Sequence, residues 1–324
     1  MLNRLNEILK TRYPLIQGGM AWISDADLAA SVSNAGGLGV IAAGNAPASW
    51  VKQQIDKIRT LTERPFGVNI MLLSPYVNDV AKLVTEEKVP VVITGAGNPR
   101  DYIESWKQAG IITATVVASS GLAVMMERTG VDFIIAEGCE AGGHIGEMTS
   151  MVLIPNVVRS VSLPVVAAGG ICDANSVAAA FCLGASGVQV GTRFILSSSC
   201  NAHPNYKEKL IKAKDVDNRV TGRVTGHPVR VLRNDLCRQM IQLEYSENAI
   251  DQIEKLGEGS LRKAVVDGDI KGGSFMSGQC ACLLDRIQTS EEIIKDLFEH
   301  EIFESNRSKL KALSELCGMD DRAV

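Results

Sequence analysis

His144 closes the run Ala141-Gly142-Gly143-His144. Histidine is the one side chain whose ordinary pKa lets it give or take a proton near neutrality, and here it follows a glycine pair that can place it over a ligand. Two other stretches could do chemistry through backbone alone. Val165-Val166-Ala167-Ala168-Gly169-Gly170-Ile171 and Val188-Gln189-Val190-Gly191-Thr192-Arg193 are apolar, β-branched runs that end in glycine. A chain without Cβ can approach phosphate oxygens closely and adopt positive φ, so turns of this kind hold phosphates on their N–H groups. The alanine-rich stretch 174–183 separates the two by one helix and one strand. That is the layout of the last two strands of a β/α barrel, whose loops commonly hold a ligand phosphate.

Eight candidate strands could position these residues: Pro14–Met20, Leu38–Gly44, Phe66–Leu73, Val91–Gly97, Ile111–Ala118, Phe133–Gly138, Pro164–Gly170 and Val188–Phe194. Amphipathic stretches at 26–35, 48–61, 77–87 and 99–109 alternate with them. Continuous apolar strands separated by helices predict a parallel sheet covered on its outer face. Eight such units favour a closed (β/α)8 TIM barrel over an open doubly wound sheet.

In such a barrel the functional residues sit where strands end on one face. Those ends read Gln17-Gly18-Gly19-Met20, Asn45, Asn69, Thr94-Gly95, Glu137, Gly169-Gly170 and Gly191-Thr192. Amides and hydroxyls without a charge cluster suit a planar heterocycle with donors and acceptors, and suit a metal poorly. One motif is set aside. Gly37-Leu38-Gly39-Val40-Ile41-Ala42 matches a dinucleotide fingerprint as a string, but it follows a helix and opens a strand, the reverse of what that fingerprint requires.

The 324 residues can hold a barrel of about 250 residues and an appendage, and a composition of 46% hydrophobic and 22% charged residues is that of a globular protein. The net charge of −4 gives no support for nucleic-acid binding. The eight cysteines form no C-x-x-C pair, so they are expected to be reduced thiols. The start of the chain carries Arg4, Glu7, Lys10 and Arg12 without an apolar core, and no apolar run reaches the roughly 20 residues of a membrane span. The expectation is a cytoplasmic enzyme.

After the eighth strand the pattern turns charged and helical. Residues 197–272 are expected to form a small inserted helical subdomain, with the barrel built from 1–196 and 273–324. Phe275–Leu284 is expected to be the delayed eighth barrel helix, and Ser290–Leu316 a charged helical tail. Between 205 and 238 there are nine Lys/Arg against four acids, a balance that could attract an anionic substrate carrier or dinucleotide phosphates. His203 lies within this insertion, His227 opens a His-Pro turn near Arg230, and His300 sits in the tail.

Several strings together carry a family resemblance. Gln17-Gly18-Gly19-Met20-Ala21-Trp22, Pro65-Phe66-Gly67-Val68-Asn69, Glu137 with Ala141-Gly142-Gly143-His144, Ala167-Ala168-Gly169-Gly170-Ile171 and Gln189-Val190-Gly191-Thr192-Arg193-Phe194 resemble the nitronate monooxygenase superfamily of FMN barrels. Ala202-His203-Pro204-Asn205-Tyr206-Lys207, Gly226-His227 with Arg230, and Ser277-Gly278-Gln279 resemble one branch of it, the FMN-dependent enoyl-acyl-carrier-protein reductases of the FabK type. Ser277 departs from the alanine that such proteins often carry.

The resemblance implies FMN across the barrel mouth, with its phosphate on Gly169, Gly170, Gly191 and Thr192, helped by Met276, Ser277 and Gly278. Gly18, Gly19, Met20, Asn45, Asn69, Thr94, Glu137, Gly142 and Gly143 would surround the rest of the cofactor. NADH or NADPH would be the reductant and a trans-2-enoyl thioester of acyl carrier protein or CoA the acceptor, in the last reductive step of bacterial type II fatty-acid elongation. His144 would polarise the thioester carbonyl or protonate Cα. A homodimer is also implied. The same scaffold leaves open a nitronate monooxygenase, in which His144 would act as base, and a non-catalytic flavin- or phosphate-binding barrel.

Overall fold

A computed structural model describes residues 4–299. Its main sheet has eight parallel strands: β1 (Leu15–Gln17), β2 (Gly39–Ala42), β3 (Phe66–Met71), β4 (Val91–Gly95), β5 (Ile112–Val117), β6 (Phe133–Glu137), and, after a short strand β7 (Gly143–His144), β8 (Val165–Ala168) and β9 (Gly187–Val190). They run in the order β1-β9-β8-β6-β5-β4-β3-β2. A parallel bridge between Ile16 and Leu38 joins the first strand to the last. The expected eight strands and the TIM barrel are therefore present.

The helices start where the sequence supplies caps. Asp25 accepts from Leu28 N at 3.1 Å to start the helix Ala26–Asn34, and Asp173 with Ser176 forms a capping box for Ala174–Cys182. Each such cap is worth about 1 kcal/mol. Gly39, within the string set aside as a dinucleotide fingerprint, opens β2 directly against the backbone of Ala29, where a Cβ would overlap the helix.

Strand residues alternate between the barrel axis and the helices, because successive side chains in a strand point to opposite faces. Ile16, Leu38, Val40, Val91, Ile93, Ala114, Phe133, Ile135, Val166 and Ala168 form one interior cluster, which Leu5 and Leu9 of the helix Arg4–Leu9 join. The alternate residues Val68, Ile70, Val92, Val117, Ile134 and Ala136 pack with the helices instead. The phase continues to the mouth, so Asn69 and Glu137 top the strands on the axial side.

The insertion is more than helical. Besides the helices Pro204–Ile211, Asp235–Leu243 and Ala249–Gly257 it contains a hairpin, β10 (Asn218–Thr221) and β11 (Val229–Leu232), and β11 also pairs with β7. The expected loss of strands after residue 197 is corrected accordingly. The polar and charged residues interleaved in its two short strands, Asn218, Arg219, Thr221 and Arg230, hid it.

The eighth barrel helix is likewise elsewhere than expected. Phe275 and Met276 are extended, with Met276 bridged to Val231, and only Gln279–Leu283 turns, as a short 3-10 helix. The apolar character of this stretch comes from buried Phe275, whose ring is tilted against Tyr206 with centroids 4.8 Å apart, and buried Ala281. Ser290–Phe298 takes the barrel-helix position, between Ala26–Asn34 and Ala174–Cys182. Buried Arg193 fastens it through Asp296 at 3.2 Å and through Gln288. The rest of the expected tail, with His300, lies outside the described residues. Among the described residues no helix is long and apolar enough to cross a membrane.

Candidate active site

The loops after β1, β3 and β9 meet at the barrel mouth. A Cβ on Gly19 would stand 2.5 Å from Cβ of Asn69, and one on Gly18 would stand 3.6 Å from the Gln189 side chain and from Cα of Gly191. Met20 completes the group, its sulfur 3.6 Å from a Cβ placed on Gly191. The loop after β1 therefore packs against Asn69 so closely that position 19 has no room for a side chain, while a Cβ at position 18 would make only ordinary contacts. Gln17, by contrast, is structural: wholly buried, it accepts from Val40 N at 3.0 Å and donates to Ser24 Oγ at 2.8 Å.

A second group forms where the loops after β6, β8 and β9 meet the segment 276–279. A Cβ on Gly142 would approach the Ser277 carbonyl carbon to 2.5 Å. Gly278 N donates to Thr192 Oγ1 at 2.9 Å, and Gln279 N donates to Glu140 O at 2.9 Å. Gly169 and Gly170 follow β8 with φ of +96° and +75°, and a Cβ on Gly169 would stand 2.8 Å from Gly138 O. Gly142, Gly169, Gly170, Thr192, Ser277 and Gly278 thus form one cradle, assembled from four loops with almost no side chain between them.

The hydroxyl of Ser277 has no hydrogen-bond partner although the residue is 1% exposed. A buried hydroxyl left unpaired is costly, and a phosphate oxygen in the glycine cradle would satisfy it. On that observation the residues present fit the phosphate of FMN. The signal for this site in sequence was the resemblance at Ser277-Gly278. Spacing did not carry it, because this segment lies far along the chain from the barrel loops.

His144 sits on β7, and its side chain reaches solvent. Crowding at the mouth and the neighbouring His227 hold its pKa below the usual histidine value, so the ring is neutral at neutral pH and carries one N–H donor. Glu137 ends β6 with no hydrogen-bonding or charged partner among the described residues, and burial alone pushes its pKa up to about 7.

Two expected site residues fall outside this arrangement. Thr94 shares the helix-facing phase of Val92 rather than the axial phase of Val91 and Ile93. It is 1% exposed and donates to Ala114 O at 3.2 Å, which makes it part of the sheet wall. Asn45 is exposed in the loop after β2. Gln189, not singled out in the sequence, is 8% exposed and lies on the axial phase of β9 beside Gly18.

The basic stretch is largely spent on this chain itself. Lys212 pairs with Glu208, Arg238 with Asp235, Arg233 with Asp217 at 3.3 Å and Arg223 with Glu147 at 3.4 Å. Lys207 donates to Ser197 O at 2.8 Å, Lys209 to Arg233 O at 3.0 Å and Arg219 to Asn218 O at 2.7 Å. His203 caps Pro204–Ile211, its Nδ1 accepting from Asn205 N at 3.1 Å.

Comparison with known proteins agrees with this geometry. The family model described as nitronate monooxygenase matches residues 3–87 and 75–300. A solved structure of FabK from Thermotoga maritima superposes with a TM-score of 0.93 at 48% identity, covering 97% of this chain and 99% of that one. A probable nitronate monooxygenase of Staphylococcus aureus is 34% identical over 86% of this chain and 91% of its own. The (3aS,4S,5R,7aS)-5-hydroxy-7a-methyl-1-oxo-octahydro-1H-indene-4-carboxyl-CoA dehydrogenase of Mycobacterium tuberculosis is 30% identical over 90% of this chain and 94% of its own. The chain is an oxidoreductase barrel and belongs to the nitronate monooxygenase family.

Proposed function

We propose that the protein is an FMN-dependent enoyl-thioester reductase that takes electrons from NADH or NADPH and reduces trans-2-enoyl groups carried by acyl carrier protein or CoA. The observation that carries the reading is the unpaired Ser277 hydroxyl within the glycine cradle, beside the loop that bears His144. The 48% identity with FabK, against 34% and 30% for the two curated relatives, supports the enoyl acceptor.

Gly169, Gly170, Gly191, Thr192, Ser277 and Gly278 would hold the phosphate, while Gly18, Gly19, Met20 and Asn69 would flank the ring system. FMN supplies the hydride chemistry when bound; the protein supplies position and polarity. Addition of hydride to Cβ of an enoyl thioester places negative charge on the thioester oxygen. His144, neutral and with a free N–H, can donate to that oxygen, and a donor already in place there costs no reorganisation. A proton at Cα then completes the balance: NAD(P)H, one proton and the enoyl thioester become NAD(P)+ and the saturated thioester.

The second reading, a nitronate monooxygenase, is favoured by the Staphylococcus aureus relative. There the same histidine would remove a proton from carbon. Two assays on FMN-loaded protein separate the readings. NAD(P)H consumption dependent on crotonyl-CoA is expected, and His144→Ala should retain FMN while losing most of that turnover. Oxygen uptake with propionate 3-nitronate, without any turnover of crotonyl-CoA, would transfer the assignment to the monooxygenase.

A further inference from the structure

The strand β11 holds both halves of the site at once. Val229 lies opposite His144 and Arg230 opposite Gly143 in an antiparallel ladder. The next two residues continue along the cradle segment: Val231 bridges to Met276, and Leu232 N donates to Phe275 O at 2.9 Å. Beyond the ladder, Ile145 N donates to Pro228 O at 3.1 Å. One strand of the insertion is thus the common template for the histidine and for Ser277.

Arg230 is the charged residue of that strand and is 7% exposed. Its Nε donates to Cys139 O at 3.0 Å, across 91 residues of chain. Cys139 belongs to the loop 138–143 that joins Glu137 to His144. That loop is held at several points. Gly138 N donates to Ala168 O at 2.9 Å, Cys139 N to Met148 O at 2.8 Å, and the Glu140 carboxylate accepts from Ser150 N at 3.0 Å. The Cys139 carbonyl depends on the Arg230 side chain, while the backbone of Arg230 pairs with the residue before His144. The same residue therefore grips the loop at two places on the N-terminal side of the histidine. Placing a guanidinium here costs desolvation that a surface arginine avoids, offset by the Cys139 carbonyl and the charge of Glu140.

We propose that Arg230 is a positioning residue for His144, fixing the 138–143 loop so that the imidazole faces the acceptor. It acts through the Cys139 carbonyl and the Gly143 ladder. The proposal rests on the functional reading above in that His144 is taken to face the acceptor. Misplacing a reacting group by an ångström costs on the order of a hundredfold in rate, so that is the size of effect to be expected.

The test compares FMN-loaded wild type, Arg230→Met, Arg230→Gln, His144→Ala and the His144→Ala/Arg230→Met double variant. Stopped-flow measurement separates FMN reduction by NADH or NADPH from reoxidation by crotonyl-CoA. Arg230→Met should keep the first rate and lose about a hundredfold in the second. Arg230→Gln, whose amide can still donate to a carbonyl, should recover part of it. The double variant should be no slower than His144→Ala alone, because an effect routed through a missing side chain has nothing left to act on. Multiplying losses in the double variant, or unchanged reoxidation in Arg230→Met, would overturn the proposal.

A second readout needs no turnover. The His144 ring titration followed by NMR should shift in both Arg230 variants while that of His203 stays put. If Arg230→Met fails to fold, Arg230→Gln carries the comparison alone, and an unmoved His144 titration in it refutes the idea. If His144→Ala reoxidises normally, the proposed role of the histidine fails, and the NMR result still decides whether Arg230 positions it.

Discussion

Gly142 lies so close to Ser277 that a Cβ on the glycine would stand 2.5 Å from the serine carbonyl carbon. The loop carrying His144 and the segment carrying the unpaired hydroxyl therefore touch through bare backbone, with no room for a side chain between them. Gly142→Ala should force the two apart, costing about 1–3 kcal/mol as an overpacking substitution does. Because the displaced groups are the cradle itself, FMN retention should fall with it. Urea unfolding and gel filtration of the flavin-loaded protein check both, and full retention of flavin would show that the contact is not part of the cradle.

Ser277→Ala should move stability and cofactor binding in opposite directions. Removing a buried hydroxyl without a partner relieves a penalty of about 1 kcal/mol in the empty protein. The same change deletes a donor to a charged phosphate, worth about 1.5–3 kcal/mol, or roughly tenfold to a hundredfold in Kd. Thermal unfolding without FMN and fluorescence titration with it should therefore disagree in sign. A variant weakened in both would mean that the hydroxyl has a partner within the protein.

Glu137 makes the stability of the empty protein depend on pH. Its carboxyl is raised from 4.5 to about 7 by burial, so the folded state holds a proton that the unfolded chain releases. The contribution is present in full below pH 4.5 and is lost as the pH rises through about 7. With about 1.4 kcal/mol for each unit, the loss reaches at most about 3 kcal/mol. Glu137→Gln should remove this dependence, so that urea unfolding at pH 5 and pH 8 differs less in the variant than in the wild type. Parallel profiles for the two proteins would show that Glu137 titrates normally.

Asp296 holds the last described helix to buried Arg193 at 3.2 Å and also accepts from Gln288 at 2.9 Å. Asp296→Asn leaves the guanidinium without its ionised partner. Since Asp296 is itself well exposed, the loss should fall near 1–2 kcal/mol, between the values for surface and buried pairs. Chemical denaturation at low and high salt measures it, with a smaller difference between wild type and variant at high salt. No change in the unfolding midpoint would mean that Gln288 alone holds Arg193.

Sequence alone determined the barrel and which residues were candidates for the site. Strand runs ending in glycine, and caps such as Asp25 and Asp173, are signals written within a few residues, so they survive without knowledge of the rest of the chain. The glycines at 169, 170 and 191 and the histidine at 144 were legible as candidates for the same reason. Which face of each strand looks inward was not, because both faces of a barrel strand are buried and carry the same apolar residue types. That ambiguity hid that Thr94 shares the helix-facing phase and Gln189 the axial one. Only the tertiary structure decided that Ser290–Phe298 closes the barrel, and that β11 joins His144 to the Ser277 segment. Those relationships connect residues far apart in the chain, and their hydrogen bonds run between backbone groups that every residue type provides.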